Sequence, residues 1–174
     1  MINKIDKTKF SIRPIAASDK ESLQAGLAML SHESKRQRFF SGRKGLTDKE
    51  LTYFTEVDQH NHIAFVAIFT DDNTAVPAGS VRCIRNPERP EYAELAITII
   101  DQFHHQGLGY HLLETLAASA IKENITHLYG DFHASNGNML KLLDKYRFRH
   151  NIPSDSFHII HNNDGFLYFE MALA

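Results

Sequence analysis

The chain has 174 residues, 43% hydrophobic and 23% charged, with a formal net charge of −2. Residues 1–174 are enough for one domain with a real core, 1–9 being read as a short flexible N-terminus, and the charge argues against a dedicated nucleic-acid partner. No apolar run approaches the ~20 residues of a membrane span, the start lacks the apolar segment of a signal peptide, and Cys83 as the only cysteine fits a reducing cytoplasm.

The predicted elements follow in chain order. Phe10 to Ile15 reads as a first strand. Ser18-Asp-Lys-Glu21 reads as a capping box that opens a helix to about Ser31, with Leu23, Leu27 and Leu30 on one face. Arg36 to Gly45 is basic and reads as a loop, anchored by Phe39 and Phe40. Thr47-Asp-Lys-Glu50 is a second capping box before a short helix through Leu51 and Phe54. Ile63–Thr70 and Val76–Arg85 pair as a hairpin around the Asp71–Thr74 turn. After the break at Asn86-Pro-Glu-Arg-Pro90 comes a strand over Tyr92–Ile100.

A helix is expected over Gly107–Glu123, a strand near Thr126–His133 and a helix from Gly137 to about Tyr146. Strands at Phe157–His161 and Phe166–Leu173, joined by Asn162-Asn-Asp-Gly165, close the chain. The order βααβββαβαββ predicts an α/β (α+β) protein: one mixed, mostly antiparallel sheet of about seven strands flanked by four helices.

Eleven histidines invite a metal reading, but their spacings do not support it. His104 and His105 are adjacent, and His158 and His161 fall on opposite faces of a strand. With one cysteine and no His-Glu-x-x-His run, no metal is expected.

The junction Asp101-Gln-Phe-His-His-Gln-Gly-Leu-Gly-Tyr110 is strand, glycine-containing turn, helix. Such a helix start offers unpaired N–H groups and the positive end of the helix dipole, which suit a phosphate. The turn is neither a dinucleotide fingerprint, since Leu112 holds the third glycine position, nor a P-loop, since no Gly-Lys-Ser/Thr follows. Two glycines at such a junction are by themselves compatible with a plain tight turn.

The wider pattern resembles the GCN5-related N-acetyltransferase (GNAT) superfamily. His104-His105-Gln106-Gly107-Leu108-Gly109 stands for its Gln/Arg-x-x-Gly-x-Gly/Ala motif, and Asn136-Gly-Asn-Met139 for the Asn that opens a later helix. Arg38-Phe-Phe40, Leu51-Thr-Tyr-Phe-Thr-Glu-Val-Asp58, Ile63-Ala-Phe-Val-Ala67 and Ala93-Glu-Leu-Ala-Ile-Thr98 resemble the Pat-like branch of bacterial protein-lysine acetyltransferases. The sequence departs from the family at His104, His105 and Arg147, and carries Leu143 where many members have a Tyr.

The resemblance implies a GNAT fold and acetyl-CoA as co-substrate. The turn from His104 and His105 through Gln106, Gly107, Leu108 and Gly109 to Tyr110 would hold the pyrophosphate, mainly through backbone N–H groups. Ile97, Thr98 and Ile99 would pair with the pantetheine arm, with Asn136 and Met139 beside it. Glu94 would be the general base, raised in pKa by partial burial, and a backbone N–H near Ile99 would meet the oxyanion. The acceptor would be a primary amine, on a protein lysine or a small molecule, and a homodimer is compatible with the family.

A lysine amine is about 99.9% protonated at pH 7, so a base or water relay must act. Direct transfer is expected, because Cys83 has no evident base partner. Thiolate protonation by water is expected rather than by Tyr146. Arg36, Arg38, Arg43 and Lys44 would border the acceptor or reach the 3′-phosphate, or else form a solvated loop. A second reading is a module of the same fold that binds acetyl-CoA with little turnover.

Overall fold

The computed structural model describes residues 8–39, 45–72, 74–161 and 164–174. Residues 1–7, Phe40, Arg43, Lys44, and Asn162 and Asn163 of the final turn lie outside the described residues. Seven strands form one sheet in the order β1-β2-β3-β4-β5-β7-β6. They are β1 (Phe10–Pro14), β2 (His62–Asp71), β3 (Thr74–Arg85), β4 (Tyr92–Ile99), β5 (His127–His133), β6 (Phe157–His161) and β7 (Phe166–Ala172). Every pairing is antiparallel except β4 with β5.

The helices are α1 (Lys20–Met29), α2 (His32–Phe39), α3 (Asp48–Thr55), α4 (Leu108–Lys122) and α5 (Gly137–Arg149). The described residues thus hold five helices, not four. The extra one, α2, takes in Arg36–Phe39 of the expected loop. It has no buried residue, so no apolar stripe announces it. Its start is fixed by Ser31, whose Oγ accepts from the Ser34 N–H at 3.1 Å. Asp101 holds that cap in place, accepting from the Ser31 N–H and from the Ser31 and Ser34 hydroxyls at 2.7–3.1 Å.

The two expected capping boxes fare differently. Thr47 and Glu50 form theirs: the Glu50 N–H donates to Thr47 Oγ1 at 3.3 Å, and the Thr47 N–H to Glu50 Oε2 at 2.9 Å. The Ser18 box does not form. A 3-10 turn over Ala17–Asp19 precedes α1, and Asp19 accepts from the Ala16 N–H at 2.8 Å instead. Arg13 donates to both Asp19 oxygens at 2.6 and 2.7 Å, which holds the Asp19 pKa below the ordinary carboxylate value. This pair binds β1 to the start of α1, which also ends earlier than expected, at Met29.

Alternation along β4 sorts the two faces of the sheet. Ile97 and Ile99 pack towards Gly109 of α4, whereas Ile100 packs towards Gly26 of α1. The core runs through buried Leu112, Leu113 and Leu116 of α4, Val81 and Cys83 of β3, and Leu128 and Phe169 of β5 and β7.

Candidate active site

The site is organised by a fork in the sheet. β4 and β5 pair only over Tyr92–Glu94 against His127–Tyr129. Beyond that, β4 stays paired to β3 as far as Ile99, while β5 stays paired to β7 as far as His133. The facing edges of β4 and β5 therefore part, and an extended ligand arm can enter between them. Gly130 stands at the apex. A Cβ there would lie 3.2 Å from the Leu95 carbonyl and 3.1 Å from the Phe169 ring, so glycine lets the strands converge.

At the open end of β4, a 3-10 turn over Asp101–Phe103 leads into residues 104–109. Gly107 is the N-cap of α4 at φ 84°, left-handed backbone that suits glycine. Among the described residues, the backbone N–H groups of His105, Gln106, Gly107, Leu108 and Gly109 have no protein acceptor. Five donors in succession at the positive end of a 15-residue helix are an arrangement that could hold an anion. Gly109 lies between the strand and α5, where a Cβ would sit 3.7 Å from Leu142 and 3.8 Å from Ile99.

The two histidines of the turn play unlike parts. His104 Nε2 donates to the Ile99 carbonyl at 2.9 Å, so the ring ties the turn to the end of β4. His105 is exposed at φ 60°, its ring edge-on to that of His104. Gln106 Nε2 donates to the Gln102 carbonyl at 3.1 Å. Leu108 and Tyr110 are buried, and the Tyr110 hydroxyl donates to Glu114 at 2.8 Å.

Across the fork, Asn136 caps α5. Its Oδ1 accepts from the Met139 N–H at 3.1 Å, leaving the side-chain amide without a protein partner among the described residues. Met139 is half-buried against the core. Leu143 is fully buried, and Tyr146 is buried against His150, their rings stacked at 4.2 Å. Burial pushes the Tyr146 phenol up to about 12, helped by Tyr110 and Glu114 nearby. Burial likewise pushes the Cys83 thiol up to about 12, so it stays a thiol at neutral pH.

Glu94 lies at the last paired position of the fork, opposite Ile84 of β3 and Tyr129 of β5. It is exposed rather than partly buried. Thr98 is on the same face four residues on, about 13 Å along the strand. There Thr98 Oγ1 accepts from Arg38 Nε at 3.0 Å. Arg38 therefore points inwards onto β4, whereas Arg36 is engaged by Glu33.

Below Thr98 opens a cavity of about 700 Å³, including its mouth, between β3–β4 and α1–α3. Its walls are mostly hydrocarbon, with Asp19, Ser22, Arg38, Ser80, Arg82 and Thr98 as polar members. The sequence reading passed over Arg82 and its neighbour His62. The available signal was alternation: Val81 and Cys83 face the α4 core, so Arg82 must face the other side, which α1–α3 cover. Among the described residues, no group of three or more His, Cys, Asp or Glu is placed to hold a metal ion, and no helix is long and apolar enough to cross a membrane.

Residues 9–149 match the acetyltransferase (GNAT) domain family. The chain is 29% identical over 136 residues to acetyltransferase Pat of Mycolicibacterium smegmatis, covering 78% of this chain and 40% of that protein. The chain thus spans well under half the length of that relative. Its fold is similar to the GNAT domain of PAT from S. lividans, with TM-score 0.77 and 25% identity over 93% of this chain and 89% of that one. It is also similar to yncA of Salmonella typhimurium, solved with its cofactor acetyl-CoA, with TM-score 0.69 and 15% identity over 95% of each chain. The seven-stranded forked sheet and the family match together place the chain in the GNAT acetyltransferase family, among relatives named Pat.

Proposed function

We propose that residues 1–174 form one acetyl-CoA-dependent N-acetyltransferase domain acting on a primary amine of a protein lysine or a small molecule. The observation that carries this reading is the run of five unpaired backbone N–H groups at residues 105–109, set at the open end of the fork. A pyrophosphate needs such donors, and the gap between β4 and β5 suits the pantetheine arm that follows it. The side-chain amide of Asn136, whose Oδ1 is engaged by the Met139 N–H, would contact the same arm from α5. Acetyl-CoA, when bound, supplies an acetyl group activated as a thioester.

The chain's own residues do the rest. The turn fixes the diphosphate end, with His104 holding the turn to Ile99. Ile97, Thr98 and Ile99 orient the arm, and a backbone N–H near Ile99 meets the oxyanion. Glu94 takes the proton from the ammonium. Since about 13 Å of strand separates it from Thr98, it acts through water rather than by direct contact. The thiolate takes its proton from water, because Leu143 replaces the usual phenol and Tyr146 is buried with its ring against His150. Direct attack by the amine fits the inert Cys83.

The second reading, a binding module with weak turnover, is favoured by the exposure of Glu94 and the missing phenol. Both readings require acetyl-CoA to bind. At 100 times Kd it should add about 2.7 kcal/mol of stability, visible as a rise in Tm. Free thiol released with an amine panel then selects the enzyme. No rise in Tm at millimolar acetyl-CoA or CoA rejects both.

A further inference from the structure

The face of β4 opposite α4 holds a buried cation without a counter-charge. Arg82 is 4% exposed. Its Nη1 donates to the Phe54 carbonyl at 3.1 Å and to His62 Nε2 at 3.2 Å, and its guanidinium lies 4.5 Å from the centre of the Phe54 ring. These partners are all neutral: burial, reinforced by Arg82, holds His62 down at about 4. Among the described residues no carboxylate lies within ion-pair distance of Arg82. Asp19, the acid on the cavity wall, is already engaged by Arg13.

The fork of Arg82 is half used. Nε and Nη2 make no hydrogen bond to the described residues, yet they are not among the side-chain atoms sealed from solvent. Arg82 itself lines the cavity. Arg38 lines the same cavity, and after burial it is the main influence lowering the Arg82 pKa. A buried cation such as Arg82 in a mostly hydrocarbon cavity is costly without an anion.

We propose that this cavity binds a small organic carboxylate, its carboxyl group on Arg82 and Arg38 and its apolar body against Leu27, Phe39 and Phe54. A planar guanidinium with two free N–H directions matches a carboxylate. Side chains such as these, with few polar partners, suit a short hydrocarbon body. The inference rests on the acetyl-transfer reading for its position, since Thr98 belongs both to the cavity wall and to the strand that orients the thioester.

The carboxylate can arrive on the acceptor, as an amino carboxylic acid, or on the acyl group of a dicarboxylic acyl-CoA. In either case the amine nitrogen forms the C–N bond as the C–S bond breaks. CoA leaves as the thiol, one proton is released net from the ammonium, and the carboxylate is unchanged.

The test compares thiol release for matched acceptors: L-leucine with 3-methylbutylamine, and L-phenylalanine with 2-phenylethylamine. It also compares acetyl-CoA with succinyl-CoA on one amine. Binding of N-acetyl-L-leucine and of succinate to the ligand-free protein is measured in parallel by calorimetry. The expected result is about a 10- to 100-fold preference in kcat/KM for the carboxylated acceptor or the carboxylated donor, which identifies the source. Arg82→Gln should abolish it through KM, and Arg82→Lys should restore part of it.

Equal use of both members of every pair overturns the inference, as does a preference that survives in Arg82→Gln. The acetyl-transfer reading then stands. If acetyl-CoA fails to bind, that reading falls, and the calorimetry decides the inference alone. Carboxylate binding lost in Arg82→Gln supports it, and no binding at millimolar concentration overturns it. The matched-pair preference of the unaltered protein needs no variant, so a folding defect in Arg82→Gln leaves the test intact.

Discussion

The two faces of β4 are built from different materials. On the α4 side, the anion site is made of backbone: five N–H groups, a left-handed Gly107 and one capping Asn136. On the α1–α3 side, the cavity is made of side chains brought from β3, α1, α2 and α3. A backbone site tolerates change in side chains as long as the turn survives, which is why His104 and His105 can replace the usual residues. A side-chain site changes its ligand with each substitution. The two faces should therefore respond differently to substitution: the first through the shape of the turn, the second through each side chain in turn.

The largest effect expected from breaking this contrast is a pH dependence confined to the side-chain face. His62 is held at about 4 in the folded protein by burial and by Arg82, against an ordinary value of 6.5. Between these values the unfolded chain binds more protons than the folded one. Stability is therefore complete above pH 6.5 and falls as the pH drops towards 4, by about 3 kcal/mol in all. Urea unfolding at steps through that window measures the slope, and His62→Gln should flatten it.

Asp58 contributes a separate window lower down. Burial would raise its pKa, but N–H groups of His62, His60 and Asn61 outweigh that and hold it at about 2. Its contribution is lost only as the pH falls from near 4 towards 2.

A smaller effect separates the two jobs of Asn136 on the backbone face. Asn136→Ala removes both the cap and the amide, and should cost about 1 kcal/mol of stability together with acetyl-CoA affinity. Asn136→Asp keeps a capping oxygen but loses the amide donor, so affinity should fall while Tm holds. Equal losses of affinity and Tm in the Asp variant would reduce Asn136 to a cap alone. The smallest effect is expected at Tyr146→Phe. With the Tyr146 ring buried against His150, kcat should change less than about twofold, whereas a catalytic acid would contribute about 10²-fold or more.

Much of this was legible in sequence where a local rule operates. The strand–turn–helix at Ile100–Leu108, the Thr47–Glu50 capping box and the alternation of β2 and β4 each follow from neighbouring residues. The misses share a cause: tertiary contacts decided them. Helix α2 is polar on every side and is held by Asp101, about 70 residues away in sequence. Ser18 makes no cap on α1: a 3-10 turn precedes the helix, and Asp19 turns its carboxylate back to the Ala16 N–H and to Arg13 of β1. Glu94 lies exposed at the last paired position of the fork, which its place in a strand pattern does not reveal. Arg82 reads locally as an outward strand residue, and only the packing of α1–α3 buries it.

Glu94→Gln tests the central claim most directly, with thiol release and acetyl-CoA calorimetry measured on the same preparation. If Glu94 is the base of an acetyltransferase, kcat/KM for the amine falls by about 10²- to 10⁴-fold while acetyl-CoA affinity is unchanged. Unaltered turnover in Glu94→Gln, or a wild-type protein that does not bind acetyl-CoA, would contradict the account.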